Sequence, residues 1–211
     1  SCILASKNQN LWLNPRYSSR DIMTCLWKTE CPITPEIYIC SVYLDINYKD
    51  DFFLPKGMIK LVNYCNKHKK PLIISMDCNS HSEIWGLETN QRGEFLEDYI
   101  FSNNLNVENV GKVPTFIGRE CETVIDITLS CNFNGIKNWK VSKKLTLSDH
   151  RLISFEIELK QKVIKKLVLD TKMADWKKFT EELDKINYEL PEIINKEWLD
   201  EACQTFVDNI K

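Results

Sequence analysis

The stretch "IISMDCNSHSEIWG", Ile73 to Gly86, carries an apolar run straight into Asp77, with Asn79 two residues later. Alternation along an extended chain puts Asp77 and Asn79 on one side, one pleat apart. A carboxylate beside a carboxamide can orient a water and accept its proton, as hydrolysis of a phosphodiester requires. An Asx turn at a strand end is the competing explanation, because Asp and Asn are common there. A second cluster is Ser148, Asp149 and His150 in "TLSDHRLISFEI", just before an alternating strand. A neutral-pH histidine can polarise a phosphoryl oxygen, and an aspartate can bind a hard cation. The third is Asp126, which interrupts the apolar "TVIDITLS". A carboxylate there needs a cation or a histidine partner, and of the three histidines in the chain His150 is the natural candidate. His81 and Glu83 form H-x-E, half of a zinc deaminase signature, but the P-C-x-x-C half is absent, which sets that chemistry aside.

These residues need strands to hold them. Strand-length apolar runs occur at Cys2–Ser6, Ile22–Trp27, Ile37–Tyr43, Leu72–Met76, Val124–Leu129 and Leu152–Ile157, bounded by Pro, Asn, Asp or Gly. Helical spacing links Met58, Ile59, Val62 and Cys65, with a stop in "NKHKK" before Pro71. It also links Phe95, Leu96, Tyr99 and Ile100 in "RGEFLEDYIFSNN", closed by Asn103 and Asn104. Strands interleaved with helices and hairpins predict an α/β or α+β layered domain. The pattern changes near Lys160. A charged connector, "KQKVIKK", precedes two amphipathic patterns, Trp176–Phe179–Leu183–Ile186 and Trp198–Ala202–Phe206–Ile210. The domain boundaries expected are therefore 1–159 and 160–211.

Composition sets the outer limits. The 211 residues are 43% hydrophobic and 27% charged, enough apolar mass for one sizeable core. A net charge of −2 argues against a broad basic surface, so contact with nucleic acid would rest on local clusters such as Lys143 and Lys144. Nine cysteines without a CxxC pair fit buried thiols in a reducing compartment rather than a disulfide framework. No apolar run approaches the roughly 20 residues that span a bilayer.

Six motifs, "SVYLD", "MDCNSHSEIWG", "RGEFLEDYI", "VPTFIG", "TVIDITLS" and "TLSDHRLISFEI", follow one another from about Cys2 to Leu159. In this order they resemble the endonuclease/exonuclease/phosphatase superfamily, and within it the apurinic-like endonuclease domain of non-LTR (LINE-type) retrotransposons. The resemblance implies a two-sheet, four-layer α/β sandwich and a divalent-metal-dependent endonuclease, using Mg²⁺ or Mn²⁺, that nicks target DNA to prime reverse transcription. It implies that Tyr43 contacts the scissile phosphate, Asp77 activates water or handles the leaving group's proton, and Asn79 orients water and phosphate. It implies that Asp126 orients His150, that His150 stabilises charge on phosphorus, and that Asp149 lies close to the metal. Thr115 and Ser148 match positions near the phosphate, and Lys143 and Lys144 are the candidate DNA-binding cluster. The partners implied are DNA and a reverse transcriptase domain of the same polyprotein, with no membrane and no obligate small-molecule cofactor. The setting implied is intracellular, with a nuclear site of action. Met76 and Cys78 depart from the usual residues around the DxN motif.

The family's glutamate metal ligand belongs to a strand upstream of the one that aligns with "SCILAS". Neither Glu30 nor Glu36 is a good substitute. About a quarter of a typical domain is therefore expected to precede Ser1, and this chain by itself is expected to bind Mg²⁺ weakly and nick DNA poorly. Two alternatives remain open at this point: a fold retained as a binding module without turnover, and a phosphodiesterase of the same superfamily acting on a lipid headgroup.

Overall fold

The computed structural model describes residues 1–47, 54–119, 121–144, 146–159, 174–184, 199–200 and 203–204. The chain divides into two compact units, Ser1–Val163 and Ile164–Lys211. Among its described residues the first unit holds ten strands: β1 (Leu11–Leu13), β2 (Ile22–Lys28), β3 (Glu36–Tyr43), β4 (Leu72–Asp77), β5 (Asn106–Val107), β6 (Phe116–Ile117), β7 (Glu122–Thr123), β8 (Asp126–Cys131), β9 (Ile136–Val141) and β10 (Ile153–Ile157). It also holds helices α1 (Lys56–His68) and α2 (Gln91–Ser102).

Six strands form one sheet in the order β1-β2-β3-β4-β8-β5. The β3–β4 pair is parallel and the other pairs are antiparallel. A parallel pair needs a crossover, and α1 supplies it. Its apolar face buries Met58, Leu61, Val62 and Cys65, each such side chain stabilising by roughly 1.5–3 kcal/mol if fully removed from water. The helix stops at Lys69, which takes a left-handed conformation (φ 52°) just before Pro71. On α2, Leu96 and Ile100 are buried. Phe95, expected on the same face, is 37% exposed.

Alternation sorts the sheet's side chains into two cores. Tyr38, Cys40 and Val42 of β3 and Leu72, Ile74 and Met76 of β4 face the helices, with Ile127 and Leu129 of β8. Ile37 and Ile73 face the other way, onto Phe133, Ile136 and Trp139 and the β9–β10 pair. The first unit is thus an α/β sandwich in which helices, a six-stranded sheet and a two-stranded sheet are stacked in turn, three layers among the described residues.

The strand expected over Cys2–Ser6 is not formed. Leu4 is 93% exposed, and both edges of β2 are taken, by β3 and by Leu11–Leu13, a strand the sequence did not single out. The strand expected over Val124–Leu129 begins two residues later, at Asp126. Among the described residues, no helix is long and apolar enough to cross a membrane.

In the second unit, helix α3 (Trp176–Asp184) carries the first amphipathic pattern as far as the described residues run. Trp176 meets Phe179 edge-on, with ring centroids 5.7 Å apart. Ile186 and the whole second pattern, Trp198, Ala202, Phe206 and Ile210, lie outside the described residues.

Candidate active site

Strand register assembles the first half of the site. Tyr43 ends β3, Asp77 ends β4 and Asp126 begins β8, and Tyr43 pairs with Asp77, which pairs with Asp126. Tyr43 and Asp77 have the parity of Ile37 and Ile73 on their strands, and Asp126 sits opposite Asp77, so all three lie on the face covered further along by β9–β10. That face runs from apolar Ile37 and Ile73, through the cross-strand row Ser41, Ser75 and Thr128, to the two carboxylates. A cavity of about 360 Å³ opens along this polar end, lined by Ser41, Tyr43, Ser75, Asp77, Asp126 and Thr128 among others.

A loop delivers the second half. His150 Nδ1 lies 2.9 Å from Asp126 Oδ2, and Nε2 lies 4.0 Å from Asp77 Oδ2. The imidazole rests edge-on against Phe116, ring centroids 5.1 Å apart. Backbone bonds fasten the segment to the β6–β7 hairpin: Ile117 N–H donates to the Asp149 carbonyl (2.7 Å) and Arg151 N–H to the Thr115 carbonyl (2.7 Å). Thr115 is fully buried, and its Oγ1 accepts the N–H groups of Ile125 (3.1 Å) and Asp126 (3.0 Å). It therefore sets the positions of both Asp126 and His150. The sequence suggested a contact near the phosphate, but its burial takes the hydroxyl out of a substrate's reach.

Asn79 adopts a positive φ of 44°, and its Nδ2 donates to the Leu44 carbonyl at 3.0 Å. Ser148 is exposed and accepts the His150 N–H at 3.1 Å. The exposed Asp149 lies outside the tight cluster that Asp77, Asp126 and His150 make. Lys143 and Lys144 are exposed on the β9–β10 connection. Glu36, at the opposite end of β3 from Tyr43, pairs with Lys70 at 3.3 Å. Seven residues of strand, about 23 Å, separate it from the site. His81, of the discarded H-x-E, pairs with Glu88 at 2.8 Å.

The electrostatics have one direction. Burial raises the Asp77 pKa, and Asp126 adds to the rise against the lowering influence of His150, the Asn79 N–H and Arg92. Burial works to lower the His150 pKa, but its hydrogen bond to Asp126 and the charges of Asp126, Asp77 and Asp149 outweigh it and the net shift is upward. Both groups hold protons more tightly, Asp77 chiefly because it is buried and His150 because acidic neighbours surround it. Asp77 Oδ1 is moreover buried without a hydrogen-bond partner in the protein. A buried carboxylate oxygen with no partner, in a negatively charged cluster whose ligand atoms lie within 4.8 Å of one another, fits a divalent cation.

Residues 37–154 match the family described as endonuclease-reverse transcriptase, more than half of the chain. The chain belongs to the endonuclease-reverse transcriptase family. The matched span runs from the second residue of β3 through His150, so the family's extent in this chain includes every strand and loop of the cluster. Among solved structures, the endonuclease domain of TRAS1, a telomere-specific non-LTR retrotransposon, is similar over 74% of this chain and 72% of that one, with 24% identity and a TM-score of 0.63. It shares the fold. An endonuclease/exonuclease/phosphatase protein of Beutenbergia cavernae is similar over 65% of this chain and 39% of its own (14% identity, TM-score 0.45). The human Nocturnin catalytic domain is similar over 71% and 61% (17% identity, TM-score 0.42). Comparison with curated proteins gives no match. Membership in the endonuclease-reverse transcriptase family agrees with the resemblance carried by the six sequence motifs.

Two site neighbours were not singled out from the sequence. Phe116 sits within "VPTFIG", but nothing in the motif tells that its ring will back a histidine. Arg92 opens "RGEFLEDYI", where the apolar periodicity of Leu96 and Ile100 draws attention away from the arginine.

Proposed function

We propose that the chain is a divalent-metal-dependent endonuclease that nicks DNA to prime reverse transcription. The observation that carries this reading is the placement of His150, held by Asp126 at 2.9 Å and turned toward Asp77 at 4.0 Å at the end of the Tyr43–Asp77–Asp126 row. Asp126 fixes the imidazole's orientation and favours its protonated form. The imidazolium then faces negative charge developing on a phosphoryl oxygen. Asp77 holds an attacking water and takes its proton, a role suited to a carboxylate whose pKa burial has raised. The water oxygen bonds to phosphorus as the P–O3′ bond breaks, leaving a 5′-phosphate and, once the leaving oxygen gains a proton, a 3′-hydroxyl. Tyr43, 36% exposed beside Asp77, contacts the scissile phosphate, and Asn79 orients it with the water. Mg²⁺ or Mn²⁺, held by the carboxylates of the Asp77–Asp126–His150 cluster, supplies charge neutralisation when bound. Asp149 adds negative charge nearby. The substrate is DNA, gripped through phosphates by local charge such as Lys143 and Lys144. Its partner is a reverse transcriptase of the same polyprotein, and the work is done at nuclear DNA.

The test is nicking of supercoiled plasmid with Mg²⁺ or Mn²⁺, followed by polymerase extension from the nick. The reading expects relaxed circles with extendable 3′ ends, lost with chelator and with His150→Ala. Nicking that persists in His150→Ala would refute it.

A further inference from the structure

The arginine of "RGEFLEDYI" has no part in the mechanism above. Arg92 is half-buried in the first turn of α2, and its Nη2 donates to the Asp45 carbonyl at 2.9 Å, two residues beyond Tyr43. The helix end from which it reaches is tied to the segment after Asn79. Asn90 Oδ1 accepts the N–H groups of Gly93 (2.8 Å) and His81 (3.2 Å), and Asn90 N–H donates to the His81 carbonyl (3.1 Å). A Cβ at position 93 would stand 1.6 Å from that carbonyl oxygen, so only glycine permits the approach. On the other side, the exit of β3 is tied to the exit of β4. Leu44 N–H donates to the Asp77 carbonyl (2.9 Å), and its own carbonyl accepts from Asn79 Nδ2 (3.0 Å). Arg92 closes this ring of three segments: the start of α2, the Asp77–His81 turn, and Tyr43–Asp45.

We propose that Arg92 is a positioning residue for DNA cleavage: its guanidinium clamps the β3 exit to α2 and so holds Tyr43 and the Asn79 amide in register with Asp77. The inference rests on the endonuclease reading of the same site. Arginine suits the task because its planar fork keeps its geometry when half-buried, whereas a lysine ammonium is a single, strongly hydrated centre. The charge acts in the same sense, favouring the ionised form of Asp77 against burial and Asp126.

Two measurements on the full chain test it, with Arg92→Met, which keeps an apolar stem, and Arg92→Lys. The first is hydrogen exchange of residues 41–47. Arg92→Met is expected to speed it by about tenfold or more, with Arg92→Lys in between. The second is plasmid nicking, in which Arg92→Met lowers kcat by about tenfold or more while KM for DNA stays within about twofold. Melting curves establish that both variants are folded, and if Arg92→Met does not fold, Arg92→Lys carries both readings. Unchanged exchange would overturn the clamp whatever the activity. A raised KM at constant kcat would overturn it too, making Arg92 a phosphate contact. If the wild-type chain shows no metal-dependent nicking, the endonuclease reading fails, and the exchange measurement still decides whether Arg92 holds the β3 exit.

Discussion

The strand-borne and loop-borne halves of the site are held by different means. Tyr43, Asp77 and Asp126 occupy one row of a six-stranded sheet, and moving any of them means shifting strand register. Such a slip would turn each strand's buried side chains out to the wrong face, which the two cores strongly resist. His150 instead ends a connection in which Lys143, Lys144, Thr146, Leu147, Ser148 and Asp149 are all exposed, and Leu147 is held at a positive φ of 59°. A few bonds to the β6–β7 hairpin, the Phe116 ring and the Asp126 carboxylate fix it. The sheet therefore supplies an acidic platform fixed by strand register, and the loop brings the imidazole to it.

The most damaging break is His150→Ala. It removes the loop's contribution without touching the sheet, so nicking should fall by about 10²–10⁴-fold with the melting midpoint nearly unchanged. A collapse in melting would instead mean that the loop also supports the fold. Next comes Asp126→Asn, which cuts the charge link between the halves but keeps the shape. His150 owes its raised pKa to acidic neighbours that outweigh burial, so its NMR titration midpoint should fall in this variant. The stability sign follows: the raised folded-state value contributes stability that is fully present below the ordinary histidine value of 6.5. That contribution is lost as pH rises through the raised value, so wild type's margin over Asp126→Asn should narrow on going from acid to alkaline pH. A margin that widens would mean the imidazole does not carry the link.

Thr115→Val tests the joint beneath both halves. It leaves the Ile125 and Asp126 N–H groups without their acceptor and should cost about 1–3 kcal/mol in urea unfolding. The smallest structural effect is expected from Lys143→Glu with Lys144→Glu on the exposed loop. Melting should not change, while DNA affinity falls and the slope of log K against log salt becomes shallower by about one unit per lost phosphate contact. An unchanged slope would clear these lysines of DNA contact.

How much of this was legible in the sequence depended on pattern length. β2, β3, β4 and both helices of the first unit are long enough for periodicity, and they appear where expected to within a residue or two. β5, β6 and β7 have two residues each, too few for any period. In β9, Ile136 and Trp139 are three apart because Asn138 takes a positive φ of 53° opposite an irregularity in β10, which breaks alternation. "SCILAS" has strand composition but takes no place in the sheet, although β1 and β5 leave its two outer edges open among the described residues; pairing is not written in a single segment. Asp77, Asp126 and His150 could be singled out because charge in or beside an apolar run demands a partner. That Thr115 would serve as backbone acceptor, and that Arg92 would reach Asp45, depends on loops meeting in space.

The burial of the cysteines gives the molecule a built-in chemical timer. Six of its nine thiols are buried and three, Cys2, Cys121 and Cys203, are exposed. Cys78, between Asp77 and Asn79, has its pKa pushed up by burial to about 12 and both its Sγ (2.9 Å) and its N–H (2.8 Å) on the Ile125 carbonyl. An alkylating reagent should therefore mark the three exposed thiols at once and reach Cys78 only when the seam between β4 and β8 parts. The rate at which Cys78 takes the label is then a clock for opening of the acidic platform itself, read by mass spectrometry without DNA or metal.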